Sequence, residues 1–223
     1  MAKPALTGRS EHNGQMVTEP GVSIPYRAAW VPDDDPERDW DTASALALRW
    51  LDAEVSHSGG TVVLVTHSFD NGAGSQVLSR FTRGRNHLTT RSSSLPGLRG
   101  PVLAYVPTSE VLALAIARAQ GSALCVVESV SNPMRGWAMV TGAVNLITGE
   151  TEILDERLRQ HLDRLKFYGN NGYGPKFDQD RARNVLDDLR TDGLLNVDVI
   201  VSALAALNVS VRGQEKIREL AKR

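Results

Sequence analysis

His67, Ser68 and Asp70 stand together at the end of an apolar run, in the stretch VVLVTHSFDNGAGS. An imidazole, a hydroxyl and a carboxylate this close supply the parts of a nucleophile with a general base. The next residues, NGAGSQ, are of a different kind. Gly72, Gly74 and Ser75 allow successive backbone N–H groups to turn toward an anion, and the start of a following helix adds partial positive charge. Beyond them lie Arg80, Arg83, Arg85, Arg91 and Arg99, with no acid between Asp70 and Glu110. An acid-free arginine segment points to an anionic partner, a nucleotide or a nucleic acid.

The motif context separates these chemistries. VVLVTHSF resembles the nucleophile elbow of α/β-hydrolases, in which the serine sits on a tight strand-to-helix turn. That turn needs small residues two before and two after the serine, and this chain has Thr66 and Asp70 there. A following acid and histidine would have to be drawn from Asp70, Glu110 or Glu128 with His87 or His161, and Asp70 lies too close to Ser68 for the usual arrangement. The glycine turn is not a full dinucleotide fingerprint, because Val77 stands where its last glycine would be, and no Lys-Ser/Thr pair follows to make a P-loop. Phosphate binding is therefore the leading expectation, with a hydrolase using His67, Ser68 and Asp70 as the alternative.

Positioning these residues requires a sheet. TVVLVT (61–66), PVLAYV (101–106) and ALCVVE (123–128) are short, apolar and rich in β-branched residues, the pattern of strands covered on both faces. Between the last two, TSEVLALAIARAQG reads as a buried helix opened by Thr108 or Ser109 and closed by Gly121. Strand, helix and strand make a βαβ unit, and the expected fold class is α/β, Rossmann-like, with a mostly parallel sheet and helices on both faces. In such sheets ligands bind outside the carboxyl ends of the strands. That rule adds Thr108, Ser109, Glu128 and Arg135 to the candidate ligand-binding residues, beside Gly72, Gly74, Ser75, Arg80, Arg83, Arg85 and Arg91.

The remaining chain divides into three expected parts: a polar lead-in over 1–25, an α/β unit over 26–150 and a helical region over 151–223. Pro25 to Pro36 reads as an acidic loop carrying Trp30. DTASALALRWLDAEV reads as a helix capped by Asp41, SQVLSRF as a weak helix, and WAMVTGAVNLIT as one or two strands around Gly142. In the last third, leucines 154, 158, 162 and 165 mark one helix, a second is expected with Asp178 as its cap, and two more meet at Asn208 to Ser210.

Composition bounds the function. The chain has 223 residues, 41% of them hydrophobic, and a net charge of −1. The charge is uneven: residues 61–149 hold three acids and seven bases. No apolar run approaches the ~20 residues of a membrane-spanning helix, and no secretory leader pattern opens the chain, so a cytoplasmic location is expected. Cys125 is a lone cysteine in a strand pattern, read as a buried thiol. The five histidines are widely spaced and give no metal-ligand pattern. No cofactor is identified.

Two further elements bear on nucleic acid. The loop from Phe167 to Phe177 holds half of the eight Phe and Tyr residues. Exposed, such rings stack on bases; the expectation is that they tuck into the core. ALAALNVSVRGQEKIREL has a helix-turn-helix cadence but no strong basic face. A non-catalytic module that recruits a protein through its uneven charge is the third functional class.

Overall fold

The computed structural model describes residues 24–72, 75–82, 86–91 and 99–222. The lead-in through residue 23, and Gly74, Arg83 and Arg85, lie outside these residues.

Six parallel strands form one sheet in the order β3-β2-β4-β5-β1-β6. They are β1 (Arg27–Val31), β2 (Val63–Thr66), β3 (His87–Thr89), β4 (Val102–Tyr105), β5 (Ala123–Val127) and β6 (Val144–Asn145). The α/β fold expected from the sequence is the fold observed. Its three anticipated strands are β2, β4 and β5. The stretch expected to be an acidic loop instead begins with β1, which pairs with β5 from Arg27↔Ala123 to Val31↔Val127. Four of its five residues are buried, so the pull of the core outweighs the flanking prolines.

Side chains alternate across the sheet as the pleat requires. Ala29, Val31, Leu64, Leu103, Cys125 and Val127 pack on one face against α1 (Trp40–Ser58). Ala28, Trp30, Val63, Val65, Val102, Ala104, Leu124 and Val126 pack on the other against α3 (Ser109–Arg118), α4 (Arg135–Thr141) and α7 (Val197–Ala206). The weak helix expected at SQVLSRF is confined to the single turn α2 (Ser79–Thr82).

Helix α4 corrects a second expectation. WAMVT is rich in bulky and β-branched residues and reads as strand, but it is helical and ends at Gly142 in the left-handed conformation, φ 61°. The reason is tertiary. Gly136 lies so close to α7 that an added Cβ would stand 1.8 Å from the Val199 carbonyl oxygen, and only a helix presents that backbone face to α7.

The C-terminal third is helical: α5 (Glu156–Tyr168), α6 (Lys176–Thr191), α7 and α8 (Val211–Ala221). Helix α7 is apolar all round because it serves two cores. Ala205 and Ala206 join the sheet-side core, while Ile200, Val201, Ala203 and Leu204 join the core made with α5, α6 and α8. Helix caps differ by a residue or two from expectation. Asp39, not Asp41, caps α1 by accepting the Thr42 N–H at 2.6 Å, and α6 starts at Lys176, ahead of Asp178, after extended Pro175. The turn at Asn208, φ 62°, joins α7 to α8 as anticipated. Early in α8, Gly213 and Gln214 are buried beneath Val209, whose carbonyl accepts the Gln214 amide at 2.8 Å. The cadence serves core packing there.

Candidate functional site

The carboxyl edge of the sheet has two places where adjacent strands send their chains to opposite faces, the geometry that opens a ligand crevice. One lies between β2 and β4, because β4 leads to α3 while the chain after β2 returns through Leu78 on the α1 face. The other lies between β5 and β1, which lead to α4 and α1 respectively.

The β2 exit is tied down by its own side chains. The Thr66 hydroxyl donates to the Ser68 carbonyl at 2.7 Å and lies 2.7 Å from His87 Nε2. Its one proton goes to Ser68, so His87 supplies the Nε2–H and its Nδ1 is the bare nitrogen of a neutral ring. Among the described residues Nδ1 is buried with no hydrogen-bond partner, Phe69 covers the ring edge-on at 4.9 Å, and burial holds the imidazole pKa below its ordinary value. Parallel pairing of Thr66 with Thr89 makes His67 and Thr90 neighbours, and the Thr90 hydroxyl lies 3.4 Å from the His67 carbonyl. Arg91 follows, exposed, at the same edge. His67, Ser68 and Arg91 thus leave the sheet at the same edge.

Across the crevice stands α3. Thr108 caps it, accepting the Val111 N–H and donating to Glu110 Oε2 at 2.7 Å. That hydrogen bond, first, and the charge of nearby His67, last, hold the Glu110 carboxyl below its usual range. The helix N-terminus beside Ser109 is therefore already matched by its own acid. Val106, just before, has φ 47°. A β-branched residue in that region is strained, and such strain gathers at functional edges.

The residues that follow the glycines are held from α1. The Ser75 hydroxyl donates to Asp41 Oδ1 at 2.6 Å and accepts the Leu78 N–H at 3.2 Å, and Asp41 also accepts the Val77 N–H. Ser75, expected to face a ligand, is buried and spends its hydroxyl on the turn. Asp41 was expected as the helix cap that Asp39 turns out to be, and nothing in the sequence marked it as the anchor of a loop 34 residues away. Gly72 closes the short 3-10 turn Phe69–Gly72, and Arg80 lies in α2. His67 and Asp70 are exposed and Ser68 half-buried, side by side in the chain at this exit.

Glu128 and Arg135 belong to the second crevice. There a cleft of about 360 Å³ is lined by Trp30, Pro32, Asp33, Asp34, Glu128, Val130, Pro133, Arg135, Asn145 and Glu152. Glu128 accepts the Asp33 N–H at 2.9 Å with one oxygen and the Met134 N–H with the other. Burial, aided by the charges of Asp33 and Asp34 and opposed by the two N–H donors, raises its pKa above the usual carboxylate range. Arg135 donates to Glu152 at 2.6 Å. The edge is thus divided: carboxylates crowd the β5–β1–β6 end, and His67 with Arg91 stand at the β2–β3 end. Arg99 lies away from both, its carbonyl accepting the Thr61 N–H where β2 begins.

Among the described residues no cluster of three or more His, Cys, Asp or Glu side chains could hold a metal ion, and no helix is long and apolar enough to cross a membrane. No protein-family model, curated protein or solved structure matches the chain.

Proposed function

We propose that the protein binds a phosphate-bearing ligand, a nucleotide or nucleic acid, at the β2–β3 end of the sheet. The observation that supports this most is the parallel pairing of β3 with β2. It carries the chain from Asn86, beside Thr61 at the start of β2, back to the carboxyl edge, so that Arg91 follows Thr90 at the exit of His67. Among the described residues Arg91 has no carboxylate partner, so its guanidinium is free to pair with phosphate oxygens. Arg80 precedes this return, and Arg83 and Arg85 belong to the same acid-free stretch. The carboxylates of the other crevice repel an anion there, which narrows the reading to this end and leaves Glu128 and Arg135 out of it. A cytoplasmic setting is part of the proposal; it is the compartment in which a lone cysteine such as Cys125 is ordinary.

The test is a salt titration of nucleotide and oligonucleotide binding with Arg91→Ala and His67→Ala. Affinity should fall steeply with salt, and Arg91→Ala should weaken binding about tenfold, the ~1.5 kcal/mol of a charge-assisted hydrogen bond. Affinity that ignores both salt and Arg91 overturns the proposal.

A further inference from the structure

The corner where α5 meets α6 carries features that the sheet-edge reading does not use. Four aromatic residues converge on this corner, and one of them accounts for its anchoring. Tyr173 is fully buried, donates its hydroxyl to the Leu165 carbonyl at 2.7 Å, and lies against Gly169 so closely that an added Cβ would stand 2.7 Å from its ring. Tyr168 is half-buried against the helical core, and the two phenylalanines do not tuck in. Phe167 is 72% exposed and Phe177 64% exposed. They line a cleft of about 410 Å³ with Tyr168, Asn170, Asn171, Asp178 and Arg181. Arg181 lies 4.7 Å from the Phe177 ring centroid and 5.8 Å from that of Tyr168.

The charges around the cleft are equally selective. Arg157, Arg159, Arg164, Arg183 and Arg190, the other arginines of α5 and α6, each pair with a carboxylate. Among the described residues Arg181, Lys166 and Lys176 have none; Arg181 lines the cleft, and Lys166 and Lys176 are the chain neighbours of Phe167 and Phe177. Exposed rings with unpaired cations beside them complement a chain that alternates flat bases with phosphates. An apolar peptide would fill the cleft and leave all three cations uncompensated.

We infer that this cleft is a stacking site for single-stranded nucleic acid. Bases lie on Phe167 and Phe177. Lys166, Lys176 and Arg181 meet the backbone phosphates. The Asn170 and Asn171 amides, with the Asp178 carboxylate as acceptor, face the base edges. The site is separate from the β2–β3 edge and does not rest on it.

The test is fluorescence anisotropy with a labelled single strand of about 12 nucleotides, oligo(dT) or oligo(dA), against a duplex of equal length. The single strand should bind more tightly. Phe167→Ala and Phe177→Ala should each weaken it by about 5- to 100-fold, with thermal unfolding unchanged because both rings are exposed. Arg181→Ala should reduce the salt slope by about 0.7. Arg91→Ala separates the two sites: its loss of binding with the phenylalanine variants unaffected places all recognition at the sheet edge and overturns the inference. Equal affinity for duplex, or capture of apolar peptide in place of the oligonucleotide, overturns it as well.

Discussion

Glu128 and Asp33, 95 residues apart in the chain, hold each other's loops: Glu128 accepts the Asp33 N–H, and Asp33 accepts the Val130 N–H two residues beyond Glu128. The clasp closes the β5–β1 crevice with carboxylates aimed at backbone amides. Glu128→Gln should loosen it, because the amide presents one oxygen where the carboxylate presents two, and one buried N–H loses its acceptor. The expected cost is about 1–3 kcal/mol, read as a lower urea midpoint with an unchanged slope. A variant as stable as the parent would show that one of the two amides finds another acceptor.

Gly136→Ala should be among the most damaging single-methyl changes in the chain. Its Cβ would meet the backbone of α7, which cannot swing aside as a side chain can, so α4 and α7 must separate. Overpacking of this kind costs about 1–3 kcal/mol or more. Gly149→Ala is the control. Its φ is 77° with nothing within 4 Å of an added Cβ, so it should cost only the ~1–2 kcal/mol of the left-handed conformation. Chemical denaturation of the two variants side by side measures the difference.

His87 should make stability fall on acidification. Burial lowers its folded-state pKa below 6.5, so the unfolded chain binds the proton more readily. Stability is full above about pH 6.5 and is lost as pH falls through the lowered folded value. His87→Gln keeps an N–H donor for Thr66 without titrating, and its melting temperature should depend less on pH between about 7 and 5. Parallel melting curves for parent and variant would refute the assignment.

The strands that sequence patterning found, β2, β4 and β5, are continuous apolar runs with clear stops, which is how a strand buried on both faces must look. The pattern failed where burial is decided by partners far along the chain. RAAWV is only five residues and sits among prolines and acids; its pairing with β5 is invisible locally. His87–Thr89 makes a strand because β2 has an open edge, and three residues carry no period to read. WAMVT chose helix because Gly136 meets α7. At the site, the approach of residues to the carboxyl edge followed from the strands, so His67, Ser68, Thr108, Ser109 and Glu128 were legible as edge residues. Their division between two crevices, and the use of Ser75, Asp41 and Glu128 as loop anchors, depended on distant backbone amides. The aromatic corner was read correctly as unusual in composition, but its rings were expected inside. Tyr173 satisfies that expectation and Tyr168 does in part, while Phe167 and Phe177 do not.

The position of β1 also sets an order of events during synthesis. Among the described residues it is the first strand in the chain, yet both of its neighbours in the sheet, β5 and β6, come about a hundred residues later. A growing polypeptide therefore carries RAAWV without either of its sheet partners until Ala123–Val127 has emerged. Closure of such distant pairs is slow, and exposed apolar strands in the interval are a route to aggregation. Chains that stop short of β5 have α1 to cover one face of β1 but no strand to pair with it, so Trp30, which faces away from α1, stays open to such association.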